Sequence, residues 1–279
     1  SSTSGPPVRD TSIARMPSFL GVARAYRPAP LRCRAMRVRT RILALVAFVV
    51  VVAGAGLVVW SWLGPGWGEA AEAALASDEA VTVDVEPFLT FDPGDATTGL
   101  IVYPGGRIEA EAYAPVARRI AEAGYLVVVP GMPLNFAIFA PSRAAEVIDA
   151  NPGIDRWVVG GHSLGGAMAA TFAELSLDVD GLVLWAAYPA GSTDLTGRDL
   201  ETIGLLGTAD GLVDAGEVQT AADRLPDSYV VIPIEGGNHA QFGDYGPQRG
   251  DGEATITPSE QWDIVADFTV DLLIRVEAG

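Results

Sequence analysis

Ser163 stands between two glycine pairs in Gly160-Gly161-His162-Ser163-Leu164-Gly165-Gly166, and the stretch fits G-x-S-x-G. A serine hydroxyl is a weak nucleophile until a base removes its proton. The chain offers two histidines for that task. His162 adjoins the serine, so in a tight turn its side chain points elsewhere. His239, in "IPIEGGNHAQFG", is then the base of any Ser–His pair. Such a base needs an acid to hold its tautomer. The stretch "TIGLLGTADGLVD" carries Asp210 and, further on, Asp214. Either can also serve as a turn or helix-capping residue, but Asp210 directly follows the apolar run and Asp214 sits where a helix begins. The chemistry these residues would do together is nucleophilic attack on a carbonyl carbon.

That attack leaves negative charge on an oxygen, which backbone amides stabilise when they are already aimed at it. One such amide is that of Leu164, just after the serine. The other should come from the loop in "LIVYPGGRIEAEAY", where Gly105, Gly106 and Arg107 follow an apolar run. Simpler structural readings compete: Ser163 as a helix N-cap, and Pro104-Gly105-Gly106 as a plain turn.

These groups must be carried by rigid elements. Apolar runs predict strands over Val81–Phe91, Gly99–Tyr103, Tyr125–Val129, Arg156–Val159, Gly181–Ala187, Thr202–Leu206 and Tyr229–Ile234. Amphipathic stretches predict helices over Glu109–Ala123, Pro141–Asn151, Leu164–Leu177, Val213–Arg224 and Pro258–Val276. Continuous runs such as "YLVVV" suit strands buried on both faces. Alternation of strand and helix predicts an α/β class, a mostly parallel sheet with helices on both faces. Each chemical residue then falls just after a strand. The short intervals from Ser163 to Asp210 to His239 leave no room for a large lid domain.

Charge is unevenly spread. Residues 1–41 hold nine arginines and one acid, Asp10, whereas the remainder is strongly acidic; the chain as a whole carries −17. An acidic body argues against nucleic-acid binding. Two histidines and a lone cysteine, Cys33, argue against a metal centre on ligand count. Asp210, Asp214 and Glu217 match no calcium-loop spacing. No cofactor is expected.

Ile42 to Trp62, "ILALVAFVVVVAGAGLVVWSW", contains no charge. A bilayer span needs roughly 20 apolar residues, whereas a cleaved signal peptide has an apolar region of about 7–15. Arginines precede the run and Trp60, Trp62 and Trp67 mark its end, where indoles favour the interface. The expected organisation is a basic tail over 1–41, a transmembrane signal-anchor over 42–62, a linker over 63–80 and a catalytic domain over 81–279. Met36 offers a compact alternative start. Because positive residues stay inside, the acidic domain is expected on the outer side of the cell membrane, anchored by a single pass.

Taken together, "YPGGRIEAEAYAPVARRIAEAGYLVVVPGMPLNFAIF", "RWVVGGHSLGGAMAATFAE", "LLGTADGLVD" and "EGGNHAQFGDYGPQRGDGEATIT" resemble the α/β-hydrolase superfamily. Within it, the chain is similar to small bacterial dienelactone-hydrolase-like enzymes, many of them with an N-terminal membrane anchor. The resemblance implies the α/β-hydrolase fold and a serine hydrolase with Ser163 as nucleophile, His239 as base and Asp210 as acid. It departs at Gly131, where these proteins often carry lysine. The expected partners are the lipid bilayer and a small or accessible carboxylic ester. Acyl transfer, cleavage of a small amide, or a silent binding module are the alternatives.

Overall fold

The structure, a computed structural model, describes Gly5 and residues 31–279. The basic-tail reading of residues 1–4 and 6–30 lies outside the described residues. The chain divides into two compact units, 1–53 and 54–279. Helix α1, Leu31–Trp62, contains the run Arg41–Ser61, whose mean hydropathy of 3.0 makes it long and apolar enough to cross a membrane. The helix begins ahead of Ile42 because Leu31 to Arg41 is free of glycine and proline and rich in good helix formers.

Within the second unit, the stretch read as a tether contains α2, Glu69–Ala74. Its Ala71 and Ala74 are buried in the core. Beyond it lie β1 (Thr82–Asp84), β2 (Leu89–Asp92), β3 (Thr98–Tyr103), α3 (Ala114–Glu122) and β4 (Leu126–Val129). Next come α4 (Arg143–Ala150), β5 (Arg156–His162), α5 (Leu164–Leu175), β6 (Gly181–Trp185) and β7 (Glu201–Gly207). The chain ends with α6 (Ala215–Ala222), β8 (Val230–Ile234) and α7 (Pro258–Ala278).

The strands form one eight-stranded sheet in the order β1-β2-β4-β3-β5-β6-β7-β8. The pairings of β1 with β2 and of β2 with β4 are antiparallel, and the others are parallel. The expected strand Val81–Phe91 is in fact two. Pro87 has no N–H to give a ladder, and the chain turns there into a hairpin. The helix expected over Glu109–Ala123 likewise opens as a 3-10 turn, Ala110–Tyr113, before α3.

Alternation along the central strands splits the core into two layers. Leu100, Val102 and Val158 point into one, beneath α3 and α7. Ile101, Tyr103, Trp157 and Val159 point into the other, beneath α4 and α5. Each buried large side chain contributes about 1.5–3 kcal/mol, so the central strands are the rigid base from which the loops at their C-terminal ends project.

Candidate active site

Strand β5 runs straight into α5 with no loop, so the chain must reverse direction at a single residue. That residue is Ser163, with φ 53° and ψ −122°. A residue bearing a Cβ in this left-handed region is strained by about 1–3 kcal/mol. The turn fits only because its flanks are glycine. A Cβ on Gly161 would lie 2.6 Å from the Tyr103 carbonyl oxygen, and one on Gly165 would collide with that carbonyl and with Pro104's. Ser163 N–H donates to the Trp185 carbonyl at 2.9 Å, locking the turn to β6. The Ser163 side chain caps no amide of α5. The N-cap reading of this serine therefore fails. Among the described residues its hydroxyl has no hydrogen-bond partner, and Ser163 is half-buried.

His239 follows β8 on a loop. Its Nδ1 lies 2.9 Å from Asp210 Oδ2, and the two side chains are 2% and 1% exposed. The other carboxylate oxygen of Asp210 accepts the N–H groups of Leu212 and Val213, each at 2.8 Å. The acid is thereby fixed at the end of β7. Asp214 does something else: its Oδ1 accepts the N–H of Gly216 at 2.7 Å and of Glu217 at 3.2 Å, capping α6.

The ring of His162 sits 4.5 Å from that of His239 and stacks on Phe242 at 5.4 Å. Burial, with His239 adding to it, holds the pKa of His162 well below the usual histidine value, so this ring is neutral. Tyr113 Oη lies 2.9 Å from its Nδ1 and accepts the Gly105 N–H at 2.9 Å. His162 thus braces, through Tyr113, the loop after β3.

That brace bears on the expected oxyanion donors. The Gly105 N–H is committed to Tyr113, and the Arg107 N–H donates to the Asn135 carbonyl at 2.7 Å. These two amides are therefore unavailable to a ligand, which corrects the expectation for Gly105 and Arg107. Among the described residues the Gly106 amide has no partner, and neither does that of Leu164, the first residue of α5. The two residues are neighbours, since a Cβ on Gly106 would lie 3.4 Å from the Leu164 side chain at Cδ2.

Two residues that sequence reasoning missed hold the histidine loop. Asp251 accepts the N–H groups of Gly211 (3.1 Å), His239 (3.2 Å) and Ala240 (2.8 Å). One carboxylate so ties the Asp210 turn to the His239 loop. Gln261 on α7 is fully buried and clasps Asn238, accepting its N–H at 3.0 Å and donating to its carbonyl at 2.8 Å. No spacing signal marked either residue, because each acts on backbone far from it in sequence. Among the described residues no group of three or more His, Cys, Asp or Glu could hold a metal ion.

Comparison with known proteins agrees with this architecture. The Alpha/beta hydrolase family matches residues 99–263, more than half of the chain. Among solved structures, a predicted CIB-like hydrolase from Thermoplasma acidophilum is similar, with a TM-score of 0.50 and 20% identity. The match covers 69% of this chain and 99% of that one. No curated protein matches.

Proposed function

The chain belongs to the α/β-hydrolase family, and from that premise we propose that it is a serine hydrolase acting on carboxylic esters. Ser163 attacks the carbonyl carbon. His239, with Nδ1–H donated to Asp210, takes the serine proton on Nε2 and returns it to the leaving alcohol. Water, deprotonated by His239, then attacks the acyl carbon; the bond to Ser163 Oγ breaks, His239 returns the proton to that oxygen, and the carboxylic acid leaves. The Leu164 and Gly106 amides hold the oxyanion. Asp210 accepts that Nδ1–H and keeps His239 in the tautomer that presents a bare Nε2.

The observation that carries this reading is Ser163 itself. Its backbone is held in a costly conformation, and its hydroxyl is spent on no structural bond. Strain retained at a residue with no structural duty is the mark of a functional position. A fluorophosphonate probe tests it: covalent labelling at Ser163, lost in Ser163→Ala, is expected. A folded wild-type protein that took no label would be a silent binding module instead.

The apolar helix supports a single-pass anchor, with the arginine-rich end inside and the acidic body outside. Protease added to intact cells should digest the body. A body protected until lysis would reverse this topology.

A further inference from the structure

Within the second unit, the last turn of α1 is packed against the loop that carries Gly106. Arg107 has a left-handed backbone, φ 65°, which turns its side chain back toward that helix end. Its Nη2 donates to the carbonyls of Trp60 at 3.1 Å and Leu63 at 2.8 Å. These carbonyls belong to the end of the helix, where no intrahelical donor remains, so a cation there also meets the negative end of the helix dipole. The guanidinium lies 4.0 Å from the Trp60 ring centroid. Trp60 stacks on Phe136 at 6.1 Å, and Phe136 meets Phe139 edge-on at 6.1 Å. Phe136 is also beside Gly106: a Cβ on that glycine would come 3.4 Å from the phenyl ring.

An aromatic run thus leads from the end of the apolar span to the mouth of the site. Its outer members are not covered. Ile138 is 55% exposed and Phe139 56%, and Trp60, which reaches them through Phe136, is exposed as well. Exposed apolar groups are usual singly, but a contiguous set beside a functional site marks a contact surface. The occupant is fixed by chain continuity. The 21-residue run Arg41–Ser61 ends at the residue after Trp60, so this collar lies at the level where a bilayer's interface would begin. Leu175 and Leu177 are exposed too, but at the far end of α5, on the opposite edge of the sheet from Ser163.

We propose that Trp60, Phe136, Ile138 and Phe139 form a collar seated in the bilayer interface, through which Ser163 receives esters that partition into the membrane. The proposal rests on the serine-hydrolase and anchor readings above and names their substrate class: an amphiphilic ester whose chain stays in lipid while its carbonyl reaches the Gly106 loop.

The test uses full-length protein in phosphatidylcholine vesicles and two substrates, water-soluble p-nitrophenyl acetate and vesicle-borne p-nitrophenyl palmitate. The double variant Ile138→Asp/Phe139→Asp should keep acetate turnover within about twofold and lose at least about tenfold on palmitate, since charge at these positions opposes insertion. Equal effects on both esters, or no effect on palmitate, would overturn the collar. Wild-type protein that hydrolysed neither ester would instead defeat the hydrolase reading. A second measurement needs no turnover. In a Cys33→Ser background, a fluorophore on Phe139→Cys should be quenched by nitroxide-labelled lipid, and one on Leu177→Cys should not. Equal quenching at the two positions would remove the collar from the membrane.

Discussion

Ser163 is held by the backbone on either side of it, whereas His239 is held by side chains that arrive from distant parts of the chain. The serine turn needs only glycines at 161 and 165 and one backbone bond to β6. The histidine loop has little regular structure of its own. It depends on Asp210 from the end of β7, Asp251 from the loop before α7, and Gln261 from α7. A position set by local backbone survives loss of its own side chain. A position set by remote clasps is lost when any one clasp goes, even though none need touch a substrate.

The sharpest way to break this contrast is at the serine. Ser163→Ala should lower ester turnover by at least about 10⁵-fold while the melting temperature stays unchanged, because the hydroxyl makes no structural bond. Ser163→Gly should be equally inactive and more stable by about 1 kcal/mol, the strain being relieved. Loss of folding in either variant would move the serine into the structural class. Next in size is Asp210→Asn, expected to cost about 10⁴-fold or somewhat less in turnover, since an amide favours the wrong histidine tautomer. Asp214→Ala, by contrast, should leave turnover alone and cost about 1 kcal/mol of stability, the worth of an N-cap. Steady-state kinetics with calorimetry on this pair separates the roles; a collapse of turnover in Asp214→Ala would exchange them.

A remote clasp should give an intermediate effect. Asp251→Ala removes a charged acceptor from three backbone amides of the two loops, and about 2 kcal/mol of stability with a roughly tenfold drop in kcat is expected. Unchanged kcat would mean that Asp210 and His239 alone set their own geometry. The smallest effect is a pH slope. His162 has its folded pKa below the ordinary value of about 6.5. The unfolded chain therefore takes up this proton first as pH falls. The stability tied to a neutral His162 is present above about pH 6.5 and drains away below it, by up to about 1.4 kcal/mol per pH unit. His162→Gln, which keeps an acceptor for Tyr113, should flatten the melting curve's dependence on pH in that acid range. An unaltered slope would assign it to other groups.

The same contrast explains what could be read from the sequence. Runs such as "YLVVV" and "GLVLW" announce buried parallel strands by composition alone, and the serine turn is a local pattern of glycines. The fold and the turn at Ser163 were legible for that reason. The break at Pro87 was legible in principle, since proline cannot pair within a strand, but the apolar run on both sides masked it. Tyr113, Asp251 and Gln261 were not legible. Their contribution exists only once the loops fold back to bring Gly105, His239 and Asn238 to them, across gaps of 8, 12 and 23 residues that follow no helix or strand period. The choice among Gly105, Gly106 and Arg107 was of the same kind, decided by acceptors at Tyr113 and Asn135.

The two borders of the sheet carry a consequence of their own. An open border strand is a template on which another copy can add, the first step of aggregation. Here β1 is only Thr82–Asp84, and Glu86 and Pro87 follow it after a single residue. At the opposite border β8 includes Pro233, which lacks an amide hydrogen, at the position paired with Leu206. An added strand would find too few residues on one side and a missing donor on the other. Copies crowded on a surface, where sideways encounters are frequent, can therefore collide edge to edge without polymerising.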